Sequence, residues 1–112
     1  MTTIFEKIIA REVPADIVHE DEHCLVIKDI APQAPLHLLI IPKSPIARLA
    51  DAKVQHQELL GHLMLTAGEI ARQHEVEDAF RLIVNNGEQA GQTVFHLHIH
   101  LLAGTRFEEG MV

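Results

Sequence analysis

Basic residues are scarce in this chain. Nine Lys and Arg stand against 16 Asp and Glu, a formal net charge of −7. Such a balance offers no basic stripe for a nucleic-acid groove. Cysteine is nearly absent: Cys24 stands alone, which excludes an intrachain disulfide and fits a reducing, cytoplasmic location. Long apolar runs are missing too. The longest, Leu38-Leu39-Ile40-Ile41-Pro42, falls far short of the ~20 residues of a membrane helix. The opening MTTIFEKIIARE mixes charges into its apolar residues and has no signal-peptide h-region. There is no internal repeat, low-complexity segment or linker.

What is present is a chain of 112 residues, 47% hydrophobic, enough for one core. We expect a single domain over residues 1–112. A core of this size is modest, and self-association would bury more surface. The unusual number is nine histidines.

Ile4, Ile8 and Arg11 fall at helical spacing, with Phe5 and Ile9 beside them, so residues 4–11 predict a short amphipathic helix ended before Pro14. Ile17-Val18-His19 and Cys24-Leu25-Val26-Ile27 read as two strands around the acidic turn Glu20-Asp21-Glu22. Residues 29–35 form a loop with two prolines, and Leu36 to Ile41 a strand stopped by Pro42. Leu59, Leu60, Leu63, Ala67, Ile70 and Ala71 mark the main helix over 55–74. Arg81 to Val84 and Val94 to Leu102 complete five short strands. The expected class is α+β with a mostly antiparallel sheet.

The last strand carries the chemistry. Val94-Phe95-His96-Leu97-His98-Ile99-His100-Leu101-Leu102 alternates, so period two puts His96, His98 and His100 on one face and Phe95, Leu97, Ile99 and Leu101 on the core face. Three imidazoles give no core packing, so a structural explanation is weak. A metal site is one functional reading. Neighbouring same-face histidines lie ~6.6 Å apart, but the outer two lie ~13 Å apart in a straight strand, too far for easy shared coordination of one ion. The other reading is attack on phosphorus, with the central imidazole as nucleophile and its neighbours as donors. Gly91-Gln92-Thr93, just before the strand, favours it. A close backbone, an amide and a hydroxyl suit phosphate oxygens. His37, on the side of Leu39 and Ile41 in its own strand, is a candidate proton donor to a leaving group.

The run His96-Leu97-His98-Ile99-His100-Leu101-Leu102 resembles the histidine-triad (HIT) signature, and the surroundings resemble the Hint branch of that family. The stretches that carry the resemblance are IFEKII, DIAPQAP, HLLIIPK, LLGHLM, RLIVNNG and GQTVFHLHIHLLAG, spread in order over nearly the whole chain. The resemblance implies a HIT fold whose five-stranded sheets join into ten in a homodimer. It implies hydrolysis of purine nucleoside phosphoramidates, such as amides of AMP or GMP. His98 matches the nucleophile that becomes nucleotidyl-histidine, His96 and His100 its flanking partners, and His37 the fourth histidine. Gln92, Thr93 and Val94, following Gly91, match the phosphate loop, and Asn85 a contact to sugar and phosphate. Asp29 matches the carboxylate on the ribose hydroxyls, and Ile4, Phe5, Ile8, Ile27 and Ile30 the walls around the base. Thr93 stands where many members carry serine, and the tail from Thr105 lacks tryptophan.

Other histidines read differently. His19-Glu20-Asp21-Glu22-His23 matches H-E-x-x-H, but that motif chelates zinc only on a helix, and here it lies between two strands. His56, His62 and His74, on the main helix or at its ends, are expected in solvent, with His62 open to a subunit interface. Leu63-Met64-Leu65 makes that helix apolar over a wide arc, for the core or for a dimer contact. The expected protein is thus a cytoplasmic homodimeric phosphoramidase that needs no metal or other cofactor and engages neither nucleic acid nor membrane. A dinucleoside polyphosphate hydrolase, a nucleotidyltransferase, or a non-catalytic nucleotide- or zinc-binding protein are the alternatives.

Overall fold

The computed structural model describes residues 2–110. Its centre is one antiparallel five-stranded sheet in the order β1-β2-β3-β5-β4. The strands are β1 (Ile17–Glu20), β2 (Cys24–Lys28), β3 (Leu36–Pro42), β4 (Phe80–Ile83) and β5 (Ile99–Ala103). Helix α1 (Ile4–Ile9) lies on one face and helix α2 (Gln57–Gln73) on the other. The α+β class and antiparallel sheet expected above are present.

Each helix is closed by its own sequence. In α1, the Thr3 hydroxyl accepts from the Glu6 amide while the Glu6 carboxylate accepts from the Thr3 amide, both at 3.2 Å. The helix stops at Ile9 rather than Arg11, because Arg11 is in the left-handed region at φ 63°. In α2 the same role falls to Glu75 at φ 59°: its amide donates to Arg72 and the next amide, of Val76, donates back to Ala71. The N-terminal end starts at Gln57 rather than 55, since Val54–His56 winds as a tighter 3-10 turn.

The α2 side of the sheet holds the larger core, where Leu63, Ala67 and Ile70 pack on Cys24, Val26, Leu38, Ile40, Ile99, Leu101 and Ala103. The α1 side holds a smaller one, with Phe5 and Ile8 against Leu25, Ile27, Leu39 and Ile41. Leu63 is buried, while Met64 and Leu65 are exposed, so the apolar arc of α2 splits between core and surface.

Two expectations on β5 fail. The strand covers Ile99–Ala103 rather than 94–102, and Phe95 is exposed rather than in the core. The β3–β5 ladder runs from Leu36↔Ala103 to Ile40↔Ile99. Continued, it would place Leu97 opposite Pro42, which has no amide hydrogen to give. The chain leaves the ladder instead, and the Leu97 amide donates to Ile46 at 2.6 Å.

His62 also departs from expectation. It is half-buried, and its Nε2 lies 2.8 Å from Asp21 Oδ2. The same carboxylate takes His19 Nε2 at 2.9 Å and the His23 and Cys24 amides at 2.7 and 2.9 Å. Burial opposes ionisation of Asp21, but these hydrogen bonds outweigh it and hold the carboxyl well below its usual range. Cys24 moves the other way. Burial, then the Asp21 charge, pushes its thiol up to about 11.

Gly104 ends β5 at φ +91°, and a Cβ built there would meet the Pro35 side chain at 2.9 Å. Gly104→Ala therefore combines an unfavourable backbone with a clash and should cost about 1–3 kcal/mol, measured by denaturant unfolding. Unchanged stability would show that the Pro35 loop yields freely.

Candidate active site

The β3–β5 register builds the first half of the site. His37 sits opposite Leu102, and His100 opposite Leu39, so the two histidines are diagonal neighbours on the α1 face. Their hydrogen bonds fix both tautomers. The Gln33 amide donates to His37 Nδ1 at 3.0 Å, so the proton of His37 is on Nε2. That Nε2 lies 2.9 Å from His100 Nδ1 and 3.3 Å from Asp29 Oδ2. His100 Nδ1 therefore accepts, and its own proton is on Nε2.

The irregular segment 94–98 builds the second half. His98 Nδ1 is 2.8 Å from the His96 carbonyl, which can only accept. Nδ1 thus carries the proton, and Nε2 keeps its lone pair. The ring of His98 packs edge-on to Phe5, centroids 4.9 Å apart, and lies 5.0 Å from the His100 ring. His96 differs from the expected flanking donor. It is 1% exposed, and its Nε2 donates to the Pro42 carbonyl at 2.7 Å, while Nδ1 has no partner among the described residues. The ring anchors the segment, and its backbone carbonyl orients His98.

A cleft of about 300 Å³ opens over His98 and His100. Ile4, Phe5, Ile8, Ile27, Asp29, Ile30, Thr93 and Val94 also line it. Of these, Ile30 is fully exposed and forms the rim. The Asp29 Oδ1 accepts the Ala31 amide at 2.8 Å, which turns the carboxylate back toward His37. Asn85, Gly91 and Gln92 are not among the cleft walls.

Gln92 was expected to offer its amide to phosphate, and the structure employs it otherwise. It is 2% exposed. Its Nε2 donates to the Ala47 and Val94 carbonyls at 2.8 and 2.9 Å, and its Oε1 accepts the Gly87 amide at 2.8 Å. It pins three loops together beneath Thr93, whose side chain is exposed. Sequence reasoning missed Lys28 and Leu39 as cleft walls. Leu39 was legible in principle, since the alternation of β3 places it on the face of His37.

The HIT domain pattern matches residues 10–107. The chain belongs to the HIT family. An uncharacterised HIT-like protein of Synechococcus elongatus is 59% identical over 102 residues, 91% of this chain and 90% of that protein. A 14 kDa zinc-binding protein of Zea mays is 47% identical over 104 residues, 91% and 81% of the two chains. A HIT family hydrolase from Clostridium thermocellum superposes with a TM-score of 0.95 at 43% identity, covering 99% of this chain and 97% of that one. Membership in this family and the likeness to its hydrolases support hydrolase-type chemistry for the HIT protein described here.

Both cleft histidines resist protonation. Burial lowers the pKa of His98, with the His96 charge adding to it. Burial, then the charges of His98 and His37, lowers His100 to about 4. Each ring is therefore neutral at pH 7, from an ordinary value of 6.5. The unfolded chain takes up these protons first as pH falls. Their contribution to stability is then full above about 6.5 and lost as pH drops toward about 4. Ring-proton NMR should show His98 and His100 titrating below 6.5, with His100 the lower. A midpoint at or above 6.5 for either would contradict the buried neutral state.

Proposed function

We propose that this HIT protein cleaves the P–N bond of purine nucleoside 5′-phosphoramidates, such as amides of AMP or GMP, through a nucleotidyl-histidine on His98. The observation that carries the reading is the His98 ring: its Nδ1 is tied to the His96 carbonyl, which leaves the lone pair on Nε2, and the ring lines a cleft. An uncharged nucleophile avoids the repulsion that a carboxylate would meet at an anionic phosphate.

Each residue has a part in this reading. Ile4, Phe5, Ile8, Ile27 and Ile30 clasp the base, and Asp29 accepts from the ribose hydroxyls. Thr93 and Val94 face the phosphate, Gln92 supports that loop from behind, and Asn85 contacts the sugar and phosphate region. The negative phosphate draws a solvent proton onto His100 Nδ1, which gives up the hydrogen bond from His37, and the His37 Nε2–H turns to Asp29 Oδ2, 3.3 Å away. His98 Nε2 bonds to phosphorus as the P–N bond breaks, and the leaving nitrogen takes the proton of His100. His100, neutral again, accepts a proton from water as the water oxygen attacks phosphorus, and the His98–phosphorus bond breaks.

A second reading has two observations in its favour. Ligand atoms of Asp29, His37 and His100 all lie within 4.8 Å of one another, and the Zea mays relative is named zinc-binding. Zinc held there would occupy the relay rather than assist it.

Turnover of an AMP–amine conjugate in the presence of EDTA separates the two. The expected result is hydrolysis that survives chelation and falls more than about a thousandfold in His98→Ala. Acid quench with labelled substrate should trap label on His98. Label on another residue, or activity that zinc must restore, would overturn the proposal.

A homodimer joined through the open β4 edge is part of the same reading. Met64 and Leu65 are exposed on α2, and β4 is the last strand of its sheet. Sedimentation at micromolar concentration should give twice the chain mass. A monomer there would remove the dimer from the proposal without touching the chemistry.

A further inference from the structure

All the chemistry above lies on the α1 face of the sheet. A second group of donor atoms lies on the other face. His19 pairs with Val26, and Cys24 and Val26 belong to the core beneath α2. Asp21 sits in the turn between them. His62 reaches the same point from α2, 41 residues along the chain.

The atoms converge on one oxygen. His19 Nε2 and His62 Nε2 stand 2.9 and 2.8 Å from Asp21 Oδ2, and Cys24 Sγ stands 3.6 Å from it. Ligand atoms of His19, Asp21 and Cys24 all lie within 4.8 Å of one another, whereas His62 reaches the group through Asp21 and closes on an ion by a turn of its half-open side chain. The remaining oxygen of Asp21 is held by the His23 and Cys24 amides at 2.7 and 2.9 Å, an outer shell that fixes the carboxylate. Cys24 is wholly buried and closes the inner end, while His19 and His62 are about one-third open and leave an entrance.

We propose that His19, Asp21, Cys24 and His62 form a zinc site. Two imidazoles, one thiolate and one carboxylate are the donor types of a closed, four-coordinate zinc centre. Their two negative charges offset those of the ion, so the occupied site is neutral and suits its half-buried place. Binding is balanced as follows. The Cys24 thiol gives its proton to solvent and forms the Zn–S bond. His19 and His62 exchange their Nε2 protons for Nδ1 protons through water and stay neutral. Asp21 trades two N–H···O bonds for one Zn–O bond. The ion then clasps the β1–β2 turn to α2, on the face of the sheet opposite His98, so it stabilises the fold and takes no part in turnover.

This also recasts the H-E-x-x-H string. Its first histidine serves, but with Asp21 rather than through helical spacing. His23, the second, instead stacks edge-on against His62 with centroids 5.0 Å apart.

Cobalt(II) titration of the full-length, metal-stripped protein is the test. We expect one tight equivalent with a thiolate-to-cobalt charge-transfer band in the near ultraviolet. Cys24→Ser should abolish the band, and His62→Gln, a substitution on the half-open surface of α2, should weaken binding by more than about tenfold. Asp29→Asn should leave the band intact, which separates this site from the Asp29–His37–His100 cluster. Zinc should raise the melting temperature of the wild type, reversibly with EDTA, and not that of Cys24→Ser. Absence of the band, or metal binding that survives both Cys24→Ser and His62→Gln, would overturn the proposal. Neither result would bear on hydrolysis by His98.

Discussion

The antiparallel register of β3 against β5 is the constraint on which the rest depends. It sets His37 and His100 diagonally on one face, and it runs out at Pro42, the first position without an amide to offer. Because the ladder stops there, the backbone around His96 is released from strand pairing. The His96 carbonyl is then free to receive His98 Nδ1. Had β5 continued through His98 in regular form, that carbonyl would have faced a neighbouring strand, and the imidazole would have had no local anchor. The proline that ends one strand thereby determines the tautomer of a histidine on another.

Two independent relays then converge. One starts at the Gln33 amide and passes through His37 to His100, and the other starts at the His96 carbonyl and ends at His98. Both leave a definite atom turned outward: a donor on His100 and a lone pair on His98. Burial keeps the two rings uncharged at neutral pH, so neither repels the other, and the Phe5 ring braces His98 from the side. The pair is organised before any substrate arrives, which spares the reaction the cost of arranging it.

Much of this could be read in the chain itself, because periodicity reports faces well. The alternation of β3 placed His37 correctly beside Leu39, the i, i+3, i+4 pattern located α2, and the triad string identified the family. What could not be read is where a ladder stops and which carbonyl a side chain meets. The release of His96 and His98 from β5, whose observed span begins at Ile99, and the turning inward of Gln92 depend on Pro42 and Ala47, both distant in sequence. His62 looked like a surface residue because nothing in its helix announces Asp21, which lies in a hairpin 41 residues earlier. Local pattern predicts local geometry, and side-chain partners are set by tertiary approach.

The sheet also acts as a partition. One layer of backbone separates the cleft from α2, and side chains alternate between two environments that do not mix. Substitutions at Leu63, Ala67 or Ile70 strain the packing behind the sheet, and those at Phe5 or Ile8 strain the packing in front, with the strands between them as a stiff wall. Such a chain has two surfaces on which change accumulates separately. The back can acquire a new attachment, or lose one, while the front goes on presenting the same pair of imidazoles.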